Sequence, residues 1–329
     1  VGGANLKAAH SGGLARSASF PVWKEPERLA GAIAELAGAF PPSDRVAVTM
    51  TAELCDCFET KREGVLRIVD AIREAIPRRP IAYWGTDGRF HDEDSVRRDP
   101  LVAAASNWLA LATVAARLVG DGRALLIDVG STTADLIPLA AGRVAARGRT
   151  DLDRLKNGEL VYAGVGRTPV CAIATELPFQ GVATGLAAEF FATTRDVYQI
   201  LGDLPPEPDD WATADGRPAT RERAIERLAR MVCADREGCS AEDVESLARA
   251  FDDRLRERLV DAARRACEAT IGTPEVAVVS GSGEFLARRV AEMLLGPDAA
   301  IRPLGELWGP RGSDAACARA LIELAPANA

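Results

Sequence analysis

An α/β protein built as two similar halves around a ligand cleft is the fold class this sequence predicts. Three observations predict it. Apolar strands alternate with helical periods through the first half, the grammar of a sheet covered by helices. Strands that end in small-residue glycine turns recur near the start, in the middle and near the end of the chain, each offering backbone amides to an anion. The 329 residues, 47% of them apolar, suffice to bury two cores.

Taken in order, the first half reads as strand, turn and strand to about Phe20, then a helix near 26–38 and a strand at 45–50. A helix near 61–76, a strand at 81–84 and a helix near 101–118 follow. The second half opens with a hairpin at 125–139 and a short strand at 142–145, passes through an irregular region at 148–194, and continues with a helix near 221–233. A long amphipathic helix near 241–271, a glycine turn at 281–283 and a terminal helix near 313–324 close it. The Pro- and Asp-rich stretch 202–210 reads as a surface loop. The expected division is residues 1–120, completed by the C-terminal helix at 313–329, and residues 121–312. Because the chain begins inside a glycine turn, a first strand with any acid at its tip is expected ahead of Val1.

The middle turn is the most informative. Leu125 to Val129 is an apolar strand with Asp128 near its end, Gly130-Ser131-Thr132-Thr133 is the turn, and a second apolar strand runs from Ala134 to Leu139. Gly130 permits a close backbone approach, and Ser131, Thr132 and Thr133 supply hydroxyl and amide donors for a phosphate. Asp128 cannot favourably touch a phosphate, so its expected role is to hold Mg²⁺ or a bridging water. The N-terminal turn repeats this grammar with Gly2, Gly3, Asn5 and Lys7, and Lys7 is one of only four lysines among 40 basic residues. The third turn, Gly281-Ser282-Gly283, leads from a strand into a helix start, where a nucleotide or diphosphate can lie.

A net charge of −8 argues against broad attraction to nucleic acid or to an anionic membrane surface, so neither partner is expected. No apolar run reaches the roughly 18 to 20 residues needed to cross a bilayer, and a cytoplasmic location is the expectation. Seven scattered cysteines without repeated Cys-x-x-Cys spacing support neither a disulfide framework nor a zinc ribbon. With only His10 and His91, a histidine-based hydrolytic triad has few candidates.

Strand ends elsewhere carry more polar chemistry than packing needs. Glu53, in Thr51-Ala52-Glu53-Leu54-Cys55, and Asp87, in Gly85-Thr86-Asp87-Gly88, are candidates for a general base or a substrate clamp; each also suits a turn-capping acid. Asn107 can reach a ligand or satisfy a backbone group. Arg167, followed by Thr168 and Pro169, can aim a planar fork at a phosphate or carboxylate.

The three turns resemble the two phosphate loops and the adenosine loop of the actin, sugar kinase and heat-shock ATPase superfamily, whose halves are ribonuclease H-like. A narrower likeness rests on Gly-Gly-Ala-Asn-Leu-Lys (2–7), Thr-Met-Thr-Ala-Glu-Leu-Cys-Asp (49–56), Tyr-Trp-Gly-Thr-Asp-Gly (83–88), Ser-Asn-Trp-Leu-Ala (106–110), Asp-Val-Gly-Ser-Thr-Thr-Ala-Asp (128–135) and Gly-Glu-Leu-Val-Tyr-Ala-Gly-Val-Gly-Arg-Thr-Pro (158–169). These resemble the hydantoinase/oxoprolinase-like proteins of the tetrahydromethanopterin-linked one-carbon pathway. The resemblance implies a transferase of methanofuran or methylofuran synthesis that joins an aminomethylfuran-methyl diphosphate to the phenol of a (glutamyl)tyramine or tyrosine unit and releases diphosphate. It implies Lys7, Glu53, Asp87 and Asp128 as catalytic residues, Gly2, Gly3, Asn5, Lys7, Gly130–Thr133 and Gly281–Gly283 on phosphate, and Asn107, Arg167 and Thr168 on substrate. Mg²⁺ is the implied cofactor. ATP is possible in this fold but not expected for this chemistry; an ATP-dependent kinase or amidohydrolase is the rival reading.

Overall fold

The computed structural model describes residues 1–325. Two α/β halves face each other. In the first, an antiparallel hairpin pairs β1 (Asn5–Ala9) with β2 (Ala15–Ser19), and α1 (Leu29–Gly38) follows. A three-stranded sheet then forms from β3 (Val46–Val48), β4 (Ile81–Trp84) and β5 (Phe90–His91), with β3 and β4 parallel and joined by α2 (Lys61–Ala75). The side chain of Thr60 accepts from the Glu63 amide to start α2, and Val65, Ile68, Val69 and Ile72 bury one helical face against this core. After α3 (Glu93–Arg98), the chain reaches α4 (Asn107–Val119). The helix expected near 101–118 thus begins later: Pro100 opens a separate 3₁₀ turn, and Ala105 adopts a left-handed φ of 47°.

The second half is organised on one sheet of strand order β13-β12-β6-β7-β8 with β9 beside β7. Its members are β6 (Arg123–Val129), β7 (Ala134–Ala140), β8 (Arg143–Val144), β9 (Leu160–Val161), β12 (Val276–Ser280) and β13 (Ala300–Pro303). β12 runs parallel to β6 and β13, whereas β7 returns antiparallel to β6. Alternation decides the two faces. Leu125, Ile127 and Val129 of β6, with Ala277 and Val279 of β12, enter one core; Ala124, Leu126 and Val278 enter the other.

The first of these faces is covered by α8 (Ala241–Glu268) and α9 (Glu284–Leu295), with α6 (Thr194–Leu201) and α7 (Arg221–Ala229) completing the core. Ser240 and Asp243 exchange side-chain and backbone bonds in a capping box that fixes the start of α8. Its residues Val244, Leu247, Phe251, Leu255 and Leu259 recur at helical spacing and are buried. The region expected to be irregular contains α5 (Asp151–Asn157) and the hairpin β10 (Glu176–Phe179) to β11 (Val182–Gly185).

The opposite face is covered by α4 and by α12 (Ala316–Leu324), which follows the short helices α10 (Leu304–Trp308) and α11 (Pro310–Asp314). α12 also touches β1 and β3, so the C-terminal segment packs against both halves. Residues 326–329, the end of the expected 313–329 helix, lie outside the described residues. No helix among the described residues is long and apolar enough to cross a membrane.

Candidate active site

Two of the glycine turns are built alike. In the first, the Gly2 amide donates to the Asn5 carbonyl at 3.0 Å; in the second, Gly130 donates to Thr133 at 2.8 Å. Each turn is tied to the neighbouring strand's exit in the same way: Thr51 donates to the Val1 carbonyl at 2.9 Å, and Gly283 to the Val129 carbonyl at 2.8 Å. The third turn therefore acts on the second one directly. Gly281 adopts φ +98°, and a Cβ there would stand 2.2 Å from the Val129 carbonyl oxygen, which only glycine avoids.

The first two glycine turns meet across a cleft of about 980 Å³. Asn5 Nδ2 donates to Ser131 Oγ at 3.3 Å, so the first half's turn touches the second half's. The lining includes Gly2, Gly3, Asn5, Lys7, Asn107, Asp128, Gly130–Thr133, Arg167 and Gly281, which brings together most of the residues expected on a ligand. Behind the second turn, Gly164 lets the 163–168 segment press against it: a Cβ at Gly164 would fall 2.3 Å from the Gly130 carbonyl oxygen. The amides of Val165, Gly166 and Arg167 donate to the Gly130 and Ser131 carbonyls at 3.0, 3.0 and 2.8 Å. The loop is thus held on its outer side, leaving its donors to face inward.

Charge in the cleft is arranged around Asp128. Its Oδ1 accepts from Ser280 Oγ at 2.7 Å. Burial and the neighbouring carboxylate of Asp135, its cross-strand partner, push its carboxyl up to about 6, against the easing effects of Ser280 and Lys7. Asp135 is buried and paired with Arg154, whose guanidinium carbon also lies 4.3 Å from the centre of the Trp108 ring. Glu159 accepts from the Arg147 and Gly148 amides at 2.6 and 2.8 Å, fixing the approach to α5.

Glu53 follows β3's exit, is only 1% exposed, and is not itself among the cleft-lining residues, although its neighbours Thr51, Leu54 and Cys55 are. Neither carboxylate oxygen has a hydrogen-bond partner among the described residues. Burial pushes its carboxyl up to about 7; the backbone amides of Glu53 and Ala105 and the cation of Lys61 only partly offset this. Gly64 makes the burial possible, because a Cβ there would lie 2.3 Å from the Glu53 carbonyl oxygen. An unpartnered acid titrating near neutrality is equipped to accept a proton.

Other expected residues sit differently. Lys7 does not stand free at its turn: its ammonium binds the Asp314 carboxylate at 2.8 Å and the Asp314 carbonyl at 2.7 Å. Asp87 is not among the cleft-lining residues. The β4–β5 register folds 85–89 back on itself, and the Asp87 carboxylate accepts from the Arg89 amide at 3.1 Å and meets His91 Nε2 at 3.0 Å. Its structure is that of a turn-capping acid. Thr168 is buried and spends its hydroxyl on Gly164, accepting from that amide at 2.9 Å, so it holds the turn and does not line the cleft. Ser282 lines a second cavity beside β2 and α1, and Gly283 packs on Val129 and Val165. Asn107 does line the cleft, with its amide 3.7 Å from Cys317 Sγ.

Several participants carried no recognised signal in the sequence. Trp23 lies under the Arg167 guanidinium at 4.2 Å. Asp314 and Arg154 reach the cleft from distant segments. Asp135 was visible as the second acid of the hairpin, and its buried partner was not.

A family model for hydantoinase/oxoprolinase matches residues 44–307. The chain belongs to the hydantoinase/oxoprolinase family. Within it, a Methanocaldococcus jannaschii protein named (4-{4-[2-(gamma-L-glutamylamino)ethyl]phenoxymethyl}furan-2-yl)methanamine synthase is 38% identical over 240 residues, covering 72% of this chain and 71% of that protein. A Methanococcus vannielii protein of the same name is 29% identical over 189 residues, covering 57% of this chain and 84% of that one. Among solved structures, a nucleotide-free acetone carboxylase superposes with a TM-score of 0.51 at 14% identity, covering 95% of this chain. This chain spans 51% of that one, and the likeness is one of fold. The two-half α/β architecture of this member of the family is therefore one it shares with that structure.

Proposed function

We propose that this protein is an ether-forming transferase of methanofuran-type cofactor synthesis, joining an aminomethylfuran-methyl diphosphate to a phenol. The observation that carries this reading is the pairing of two facing glycine turns across one cleft, with Glu53 buried beside it and its carboxyl pushed up to about 7. The relatives' printed name supplies the substrate class, since it describes a phenoxymethyl-furan ether whose phenol bears a gamma-glutamylaminoethyl group.

The chemistry balances with these parts. The furan-methyl carbon–oxygen bond breaks, and its electron pair leaves with diphosphate. The phenol oxygen forms the new bond to that carbon, and its proton passes to Glu53. A phenol with a pKa of about 10 is a poor nucleophile at neutral pH, and a base titrating near 7 is matched to its activation. The amides of Gly3, Ala4 and Ser131–Thr133, which the turns leave uncommitted, stabilise the charge that develops on the leaving oxygen. Release of Lys7 from Asp314 would add a cation there.

Magnesium fits this site as a companion of the diphosphate. Among the described residues no group of three or more His, Cys, Asp or Glu side chains is arranged to hold a metal ion. A single carboxylate beside the Ser131, Thr132 and Thr133 hydroxyls suits an ion that keeps its waters and substrate oxygens. Asp128, whose charge is opposed by burial and by Asp135, would hold it. Bound there, it would neutralise the leaving diphosphate.

The test is to incubate the protein with Mg²⁺, synthetic aminomethylfuran-methyl diphosphate and tyramine, gamma-glutamyltyramine or tyrosine, following diphosphate and ether by mass spectrometry. Ether without ATP is the expected result. Saturable ATP hydrolysis with no ether would replace this reading by an ATP-dependent one.

A further inference from the structure

We propose that Arg167, laid on the indole of Trp23, closes over the two phosphate turns and grips the leaving diphosphate, with Trp23 as its positioning residue. This rests on the transferase reading and deepens it.

The two side chains come from opposite halves and are each anchored to a different phosphate turn. Val22, just before Trp23, donates its amide to the Gly3 carbonyl at 2.9 Å. The Arg167 amide donates to the Ser131 carbonyl at 2.8 Å. Across the join, the Arg167 guanidinium carbon lies 4.2 Å from the Trp23 ring centre. Both residues line the cleft. The stack therefore spans the tips of the same two turns that Asn5 and Ser131 bridge.

Charge pairing indicates what the guanidinium is for. Many arginines of this chain are committed to acids, as Arg154, Arg195, Arg227 and Arg289 are. Arg167 forms no ion pair among the described residues. Of the other cations near the turns, Lys7 is held by Asp314 and Arg154 by Asp135. A multiply charged diphosphate entering beside Asp128 needs a positive charge that is not already spent. A guanidinium stacked by its face keeps its in-plane N–H fork available to two phosphate oxygens, and the indole fixes that plane before the ligand arrives.

The experiment is calorimetric titration of inorganic diphosphate, with Mg²⁺, into the full chain and into R167Q, R167K, W23L and W23F, with diphosphate product inhibition and phenol KM measured in parallel. R167Q is expected to weaken diphosphate about 10- to 100-fold, the worth of a hydrogen-bonded charge. R167K should recover part of that loss, because it keeps the charge and loses the fork. W23L is expected to weaken diphosphate about 3- to 10-fold, with W23F close to wild type because it keeps an aromatic face. Phenol KM should stay within about twofold throughout, which a merely structural role would not predict. Wild type that binds diphosphate while R167Q binds it equally well overturns the inference alone. Loss confined to the KM of gamma-glutamyltyramine would overturn it by moving Arg167 to the acceptor. Failure of wild type to bind diphosphate would remove the transferase reading as well.

Discussion

Replacing Glu53 with Gln should make the protein more stable at pH 8 and nearly inactive, and the magnitude follows from its burial. A carboxyl ordinarily near 4.5 is pushed up to about 7 because its charged form has lost water, a cost that the backbone amides of Glu53 and Ala105 and the Lys61 cation offset only in part. The folded state therefore holds this proton more tightly than the unfolded chain does. Between pH 4.5 and 7 the folded protein binds more protons, so stability falls as pH rises, and above pH 7 the full cost is present. At roughly 1.4 kcal/mol per pH unit, the displacement is worth about 3 kcal/mol. Gln is neutral and nearly isosteric, so at pH 4.5 the two proteins should have similar unfolding free energies. At pH 8 the E53Q protein should be the more stable by about 3 kcal/mol. Urea unfolding at both pH values measures this difference, and the comparison cancels any fixed packing penalty of the amide. If Glu53 is the base, kcat/KM of wild type should rise with pH through about 7, and E53Q should lose about 10²- to 10⁴-fold. A variant no more stable at pH 8 than at pH 4.5, relative to wild type, would refute the burial argument; undiminished turnover would refute the base.

Three further outcomes follow from the same geometry. Lys7→Met should change stability by less than about 1 kcal/mol, because its ion pair with Asp314 is about one-third exposed; it should raise the diphosphate inhibition constant about tenfold or more, measured by titration. Gly164→Ala should cost about 2–4 kcal/mol in thermal or urea unfolding and impair diphosphate binding, since its Cβ would enter backbone atoms of Gly130 and Ser131. Arg154→Met should destabilise by about 3–5 kcal/mol by leaving Asp135 buried without its partner, whereas a double variant with Asp135→Leu should recover much of the loss.

Local patterns exposed much of this architecture. The β6–β7 hairpin was legible because continuous apolar runs flank a turn that only Gly, Ser and Thr occupy, and α8 because Val244, Leu247, Phe251 and Leu255 keep helical spacing behind a capped start. Glu53 was legible as an acid leaving a strand. Asp87 looked the same locally, but the Asp87-Gly88 turn between β4 and β5 folds it onto His91 four positions on, the turn-capping role that its sequence also suited. α6 escaped notice although Thr193 and Asp196 form a capping box, a signal the sequence did contain. Lys7 with Asp314 is separated by 307 positions, and Arg167 with Trp23 joins two halves. Such pairs depend on how the sheets dock, so residue spacing cannot announce them.

The most direct test of the central claim is a single-turnover reaction of aminomethylfuran-methyl diphosphate with gamma-glutamyltyramine, Mg²⁺ present and ATP absent. The account predicts equal amounts of ether and diphosphate, both formed far more slowly in E53Q and R167Q. Diphosphate release without ether, or ether formed only when ATP is added, would contradict it.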